Sequence, residues 1–273
     1  MNDYVEMNDI LEIMSRNYYQ VWVSENGDAN HTPVGFGSGF MYMHNGHLYY
    51  VTADHVVNAN NEKFKLRADK DYVANIPTNK IVKGDIQPLA EQIYFNINKA
   101  DGIESFKVEG DGSIRDEGPV DFYYRNIDEH LHTPFYTQGL QFSANDVRYG
   151  GLQKTLLTEE NIEINIDPTH TFSIFGMTGC DIKGYTVIGS MMIHQGMTFV
   201  ENKYGQYCLV ADKTDEHLLL KDWAGLSGAA VYDECTGKVV GMVIQYSEFY
   251  NYCWVLPIRG IVNFIDIDIT NIK

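Results

Sequence analysis

The sequence predicts an all-β protein, a sandwich or a barrel, with one helix near its N-terminus. Short runs of β-branched and aromatic residues recur along the chain, and Gly, Asn and Asp separate them, as in strands joined by turns. Aromatic residues, which favour strands, make up 13% of the 273 residues. Beyond a helical pattern over residues 3–19, helical spacing of apolar residues is scarce. These three observations favour many short strands that close around a common core.

The helix over residues 3–19 is predicted from its start and from its apolar face. Asp3 and Glu6 have the spacing of a capping box. Apolar side chains follow near helical spacing at Val5, Ile10, Leu11, Met14 and Tyr18. Strands are predicted after it over residues 20–24, 39–43, 47–53, 92–97, 121–127, 171–175, 185–193, 206–211, 229–233, 238–246 and 252–257. Asn45-Gly46 lies between two of these strands and predicts a tight hairpin, because both residues tolerate positive φ.

Charge and composition restrict the classes of partner. The chain has 20 basic and 37 acidic residues, and its net charge of −17 disfavours nucleic acid and anionic membrane surfaces. No apolar run approaches the roughly 20 residues that cross a bilayer, and the N-terminus does not resemble a signal peptide. We therefore expect a cytoplasmic protein with no membrane partner. The four cysteines lack zinc spacing and are either buried thiols or, in an oxidising compartment, two disulfides.

A serine between two glycines is the first candidate for chemistry. Residues 225–229 read Gly-Leu-Ser-Gly-Ala, and glycine permits a tight turn that a substrate can approach closely. In such a turn the N–H groups of Gly225 and Ser227 can converge on a developing oxyanion. The nucleophile elbow of other hydrolases does not fit, because residue 229 is Ala and no histidine follows His217. The alternative is an ordinary glycine-rich turn before a strand.

A base and an orienting carboxylate occur earlier in the chain. His55 follows a predicted strand, so it can project into a cleft, and imidazole titrates near neutral pH. Its alternative role is to satisfy local hydrogen bonds. Asp121 begins an apolar strand, where an acid is not explained by solubility. We prefer it to the acids in more polar contexts and to the one beside His55, which are Asp54, Asp101, Asp116, Glu117 and Asp128.

Two histidine pairs are candidates for a metal site, His44 with His47 and His130 with His132. No cysteine or carboxylate pattern completes either pair. We therefore expect no metal and no cofactor.

Taken together, the motifs resemble those of the trypsin-like (chymotrypsin-fold) serine peptidases, most closely the bacterial HtrA/Deg branch. Residues 37–40 (GSGF) are similar to the family's G-[ST]-G-F strand, and residues 50–57 (YVTADHVV) to its T-x-x-H-V-V motif. Residues 120–124 (VDFYY) match the strand that begins with the family's aspartate, and residues 225–233 (GLSGAAVYD) match its nucleophile turn. Weaker similarity to other strands of the family occurs at residues 172–176, 237–242 and 254–258.

The resemblance implies two packed six-stranded antiparallel β-barrels with the site in the cleft between them. The implied segments are a helix over 1–19, a first barrel over 20–135, a connection over 136–169, and a second barrel with a tail over 170–273. The implied roles are His55 as general base, Asp121 as its orienter and Ser227 as nucleophile, with the N–H groups of Gly225 and Ser227 as oxyanion hole. The implied activity is that of a bacterial endopeptidase with a restricted protein or peptide substrate.

The chain also departs from the family. Leu226 stands where secreted trypsin-like enzymes carry an aspartate that pairs with a newly cleaved N-terminus, which excludes that route of activation. No peptide-gating PDZ module is expected. Lys221 lies where this fold often forms the floor of the P1 pocket and would favour an acidic P1 side chain, unless it faces solvent; Gln245 is a second substrate-binding candidate. A catalytically silent binding or regulatory module and an esterase are the alternative functions.

Overall fold

The computed structural model describes residues 7–57, 70–79, 92–97, 104–108, 114–143, 146–183, 186–203, 206–210, 223–247 and 251–271, and the account below concerns these residues. Its helices and strands are, in chain order, α1 (Met7–Asn17), β1 (Tyr19–Glu25), β2 (Pro33–His44), β3 (His47–Thr52), α2 (Asp54–Val57), β4 (Tyr72–Pro77), β5 (Gln92–Asn96), β6 (Glu104–Val108), β7 (Ile114–Pro119), β8 (Tyr123–Asn126), β9 (Leu140–Ser143), β10 (Asp146–Arg148), β11 (Thr171–Lys183), β12 (Thr186–Lys203), β13 (Gln206–Val210), β14 (Ala230–Asp233), β15 (Val239–Ser247), β16 (Tyr252–Pro257) and α3 (Ile258–Asn271). Short 3-10 turns occupy Asp128–His130 and Glu159–Asn161.

Two antiparallel six-stranded units form the body of the molecule. The first is a half-barrel sheet in the order β5-β4-β1-β2-β3-β8, and the second is a closed barrel in the order β11-β12-β13-β16-β15-β14. β6 pairs with β7, and β9 with β10, as separate two-stranded sheets. The predicted all-β double-barrel class is therefore confirmed, with closure described for the second unit.

The apolar pattern of the strands builds two cores. One cluster fills the closed barrel and includes Phe172, Leu209, Leu226 and Val231, each fully buried. A larger cluster runs under the first sheet and joins it to both long helices. Burial of these side chains, at roughly 1.5–3 kcal/mol each, is the main force that holds the two units together.

The hairpin at the end of β2 forms as its sequence predicts. Asn45 and Gly46 take φ values of +49° and +82°, the pair of positive angles that a two-residue turn between twisted strands requires. The N-terminal helix is also present. It is described from Met7 and ends at Asn17, two residues before the predicted limit, because Tyr19 already pairs with Gly39 in β1.

The connection between the two units is mostly irregular and is tied to the first sheet. Leu157 is buried, its N–H donates to Met41 O (2.9 Å), and its carbonyl accepts from Met43 N–H (2.8 Å). The weak strand pattern of residues 137–169 corresponds to the short β9–β10 pair and to this irregular chain.

The C-terminal helix α3 is a correction to the sequence analysis, which expected only a tail there. Ile258, Ile261 and Ile265 are fully buried and lie along one helical face against the large core. The sequence pattern is misleading because isoleucines and aspartates alternate near its end, which is the spacing of a strand. No helix in the described part of the chain has the length and apolar character needed to cross a membrane.

Candidate active site

The pairing of β3 with β8 brings His55 and Asp121 together. Thr52 at the end of β3 lies opposite Tyr123 at the start of β8. The chain turns into the short helix α2 after β3, and Asp121 stands just before β8. Because the two strands are antiparallel neighbours, residues that follow one strand lie beside residues that precede the other.

Asp121 holds His55 at two points. Its Oδ2 is 2.7 Å from Nδ1 of the imidazole, and its Oδ1 accepts the backbone N–H of His55 at 3.0 Å. The first distance is that of a short, charge-assisted hydrogen bond. The second contact fixes the carboxylate relative to the backbone, so the ring orientation is set as well. An Nδ1–H that donates to Asp121 leaves Nε2 as the basic nitrogen, and Nε2 makes no hydrogen bond within the described structure.

Asp54, the other acid of this region, acts on a different side chain. Burial raises the pKa of the Tyr123 hydroxyl to about 12, and the negative charge of the nearby Asp54 carboxylate adds to that rise. Asp121, and not Asp54, is therefore the acid that the structure places on the His55 ring, as the sequence analysis predicts.

Ser227 lies in a tight turn in which the neighbouring N–H groups of Leu226 and Gly228 are paired. Gly225 and Gly228 take φ values of +108° and +88°, which favour glycine. Leu226 N–H donates to Trp223 O (3.0 Å), and Gly228 N–H donates to Val243 O (2.8 Å). By contrast, the N–H groups of Gly225 and Ser227 donate to no other residue in the described structure.

This turn docks onto the first sheet. Ser38 on β2 donates its N–H to Ser227 O (2.9 Å) and its Oγ–H to Gly225 O (2.5 Å). A Cβ at Gly228 would lie 2.0 Å from Ser38 O, and one at Gly37 would lie 2.6 Å from both Cγ atoms of Val56 and 3.1 Å from Ser227 O. The turn can approach β2 this closely only because both positions are glycine. Val56, which contacts the Gly37 position, follows His55 in the chain, so the contact also brings the turn close to the helix that carries His55.

The structure therefore unites His55 and Asp121 by direct hydrogen bonds and anchors the Ser227 turn next to the helix that carries His55. No hydrogen bond joins Nε2 of His55 to Oγ of Ser227 in the described structure. Such contacts are often long in substrate-free sites and shorten when substrate binds.

Leu226 has a packing role in the turn. It is fully buried, and the space at Gly176 is shared by Leu226 Cδ2, Tyr18 Cε2 and Ser38 Oγ, which would lie 2.8, 3.0 and 3.2 Å from a Cβ there. Apolar packing of Leu226 therefore holds the turn in place, at the position where secreted trypsin-like enzymes carry an aspartate that pairs with the N-terminus.

The two substrate-binding candidates have different outcomes. Lys221 lies outside the described residues. Gln245 is exposed on β15, two residues after Val243, whose carbonyl binds the turn. Its neighbour Tyr246 stacks on Trp223.

The sequence analysis missed the aromatic stack beside the nucleophile turn and the docking role of Ser38. Trp223 lies between His194 and Tyr246 with ring centroids 4.1 Å from each and interplanar angles of 11° and 4°. The tryptophan two residues before Gly225 was a signal for the stack, but its partners lie on distant strands. Neither missed feature could be assigned without strand pairing.

Of the four histidines considered as metal ligands, His44 and His47 contact carboxylates. His44 bridges Glu159 (2.8 Å) and Asp266 (2.7 Å), and His47 pairs with Asp128 (2.7 Å). Cys208, Cys235 and Cys253 form no disulfide with one another.

Comparison with known proteins gives a fold. No protein-family model matches the chain, and no curated protein matches it. Among solved structures, the inactivated protease paralogue S-D1 of the scabies mite is similar with a TM-score of 0.51 and 11% identity, covering 95% of this chain and 94% of that one. The serine endoprotease of Yersinia pestis aligns with a TM-score of 0.45 and 13% identity, covering 96% of this chain and 66% of that one. Together with the closed barrel and the half-barrel sheet, the first likeness shows that this chain has a chymotrypsin-like double-barrel fold.

Proposed function

We propose that the protein is a serine endopeptidase that cleaves a restricted set of protein or peptide substrates through an acyl-enzyme. The observation that carries the proposal is the two-point contact of Asp121 with His55. Asp128 makes a similar contact with the His47 ring and the Leu48 N–H, but the His55 pair differs because it lies beside the docked Ser227 turn. A general base needs this arrangement, because its tautomer and orientation must be fixed before the reaction begins.

In the first half of the reaction, Ser227 Oγ attacks the scissile carbonyl, and its proton passes to Nε2 of His55. Asp121 stabilises the imidazolium that forms but keeps its own charge. The imidazolium then protonates the leaving amine as the C–N bond breaks. In the second half, His55 takes a proton from water, the hydroxide attacks the ester, and Ser227 recovers its proton as the acid product leaves.

The N–H groups of Gly225 and Ser227 would bind the oxyanion in both halves. Two features support this role: they flank one peptide unit, and they have no partner among the described residues, whereas the N–H groups of Leu226 and Gly228 are bonded. That peptide unit is held at both ends, by Ser38 at Gly225 O and by Trp223 O at Leu226 N–H. Donors that are fixed before the reaction contribute most to transition-state binding, typically about 3–4 kcal/mol for one donor.

Gln245 is the described candidate for substrate selection. It is exposed on β15, and its neighbour Tyr246 stacks with Trp223, which in turn stacks with His194. The HtrA/Deg subtype is part of this proposal and depends on the sequence motifs alone.

A catalytically silent binding module is the second candidate. One observation in its favour is that no hydrogen bond joins Nε2 of His55 to Oγ of Ser227 in the described structure. Another is that the similar scabies mite protein is described as an inactivated protease paralogue. The two candidates differ in turnover, because a silent module would bind peptides but leave them intact.

Digestion of a proteome-derived peptide library, with new termini read by mass spectrometry, tests the proposal. We expect new termini with wild type that are absent with Ser227→Ala and that share a common residue before the cut. An exposed serine on β12, Ser190, provides the matched control, and Ser190→Ala should cut like wild type. Equal termini from wild type and Ser227→Ala, or none from either, would reject the endopeptidase.

A further inference from the structure

A second cluster of reactive side chains lies at an end of the closed barrel, apart from the candidate active site. β11 and β14 pair antiparallel with Phe172 opposite Asp233, which brings His170, just before β11, beside the end of β14. Cys235 lies in the turn that leads from β14 to β15. The cluster therefore joins the entry of the barrel to the hairpin that follows the Ser227 turn.

The donor atoms of His170, Asp233 and Cys235 all lie within 4.8 Å of one another, and no other such group occurs among the residues that the structure describes. Nδ1 of His170 is 2.7 Å from Oδ2 of Asp233. The other oxygen of Asp233 accepts the N–H groups of Cys235 (2.8 Å) and Thr236 (3.3 Å). The turn thus holds the carboxylate in place and directs one oxygen at the imidazole.

The burial of the three residues suits a metal site with one buried ligand and two ligands that solvent can reach. Asp233 is 1% exposed, whereas His170 and Cys235 are half-buried and can be reached from solvent. The distant nitrogen of the ring also has a carboxylate near it, since Nε2 of His170 lies 3.5 Å from Oδ2 of Asp167. Asp167 is itself held by the N–H and hydroxyl of Thr169.

We propose that His170 Nδ1, Asp233 Oδ2 and Cys235 Sγ form a zinc-binding site, with water in the fourth position. Imidazole, carboxylate and thiolate are the zinc ligands of proteins, at distances of roughly 2.0–2.3 Å from the metal. Two ligands of a tetrahedral zinc are then about 3.3–3.5 Å apart, so Nδ1 and Oδ2 separate by about half an ångström and the thiol turns inward. The zinc replaces the proton shared by His170 and Asp233, and the thiol releases its proton to solvent.

Asp167 lies behind His170, on the side of the ring that faces away from the proposed zinc. With zinc on Nδ1, the ring proton lies on Nε2 and points at the Asp167 carboxylate. A carboxylate behind a metal-bound histidine fixes the tautomer and increases the basicity of the ligand.

A second histidine–carboxylate pair in the described part of this fold lacks a thiol. His47 Nδ1 lies 2.7 Å from Asp128 Oδ2, the same contact as that of His170 with Asp233. No thiol joins the His47 pair in the described structure. The thiol of Cys235 is thus the feature that distinguishes the proposed zinc site, and His47 offers a matched control.

The test is titration of EDTA-treated, reduced full-length protein with Co²⁺, followed by competition with Zn²⁺. We expect one equivalent of Co²⁺ to bind wild type, with a thiolate-to-cobalt charge-transfer band that one equivalent of Zn²⁺ abolishes. Cys235→Ser should lose the band, and His170→Ala should weaken binding at least tenfold, in line with loss of one ligand. His47→Ala should behave as wild type.

Three results would overturn the proposal. One is the absence of stoichiometric Co²⁺ and Zn²⁺ binding by wild type. The others are a charge-transfer band that persists in Cys235→Ser and undiminished binding in His170→Ala, since the metal would then bind elsewhere. Circular dichroism of each variant, compared with wild type, shows whether the barrel is intact. The readout does not involve peptide cleavage, so failure of the zinc site and failure of the proposed peptidase activity are separate outcomes.

Discussion

Substitution of Gly228 by alanine tests how the Ser227 turn is anchored. Gly228 has a φ of +88°, and a Cβ there would lie 2.0 Å from Ser38 O and 2.3 Å from Thr52 Oγ1. The positive φ alone costs an L-residue roughly 1–2 kcal/mol. The clash is with backbone, so the turn must move away from Ser38 and loosen the hydrogen bond from Ser38 N–H to Ser227 O. A buried donor left unpaired costs a further ~1–3 kcal/mol, which gives about 2–5 kcal/mol in total.

Gly46→Ala is the matched control for this change. Gly46 has almost the same φ, +82°, but nothing lies within 4 Å of its Cβ position. Urea unfolding of both variants should therefore give a loss near 1–2 kcal/mol for Gly46→Ala and a clearly larger one for Gly228→Ala. Equal losses in the two variants would show that the turn does not press against β2, and the reasoning about its docking would be wrong.

Two further predictions concern titration and the base. The Lys154 ammonium donates to Tyr18 O and lies 4.4 Å from the centroid of the Tyr19 ring. Burial lowers the pKa of this ammonium from 10.5 to about 7. Between about pH 7 and 10 the unfolded chain holds a proton that the folded protein lacks, so stability should rise by up to ~1.4 kcal/mol per pH unit. Urea unfolding of Lys154→Met should lack that rise, and an unchanged slope would contradict the lowered pKa. Asp121→Asn should reduce kcat by roughly 10³–10⁴-fold with little change in KM, because it permits the wrong tautomer of His55; steady-state kinetics showing a similar kcat would exclude Asp121 as the orienter.

The fold class was predictable because strand signals are local. Asn45-Gly46 defines its own turn, and alternating β-branched residues define strands wherever they occur. Helix α3 was missed. Ile258, Ile261 and Ile265 have helical spacing, but the Ile-Asp alternation near the end of the helix favours a strand. Packing of these isoleucines on the large core stabilises the helix.

The contact of His55 with Asp121 was predictable from the sequence, whereas the residues that support the Ser227 turn were not. His55, Asp121 and the Ser227 turn have characteristic flanking residues, and the first two meet as predicted. Ser38 had no such signal, since its contact with the turn spans 187 positions of the chain. The pairing of His170 with Asp233 across 63 positions follows from closure of the barrel, which no local pattern specifies.

The most direct test of the central claim, that Ser227 is an activated nucleophile, is labelling with a fluorophosphonate probe measured by intact mass. We would compare wild type with Ser227→Ala and His55→Ala, and use Ser190→Ala as the control for an exposed serine that lies outside the site. The account predicts one adduct on wild type and on Ser190→Ala, and none on the other two variants. No adduct on wild type, or an adduct that persists in Ser227→Ala, would contradict it.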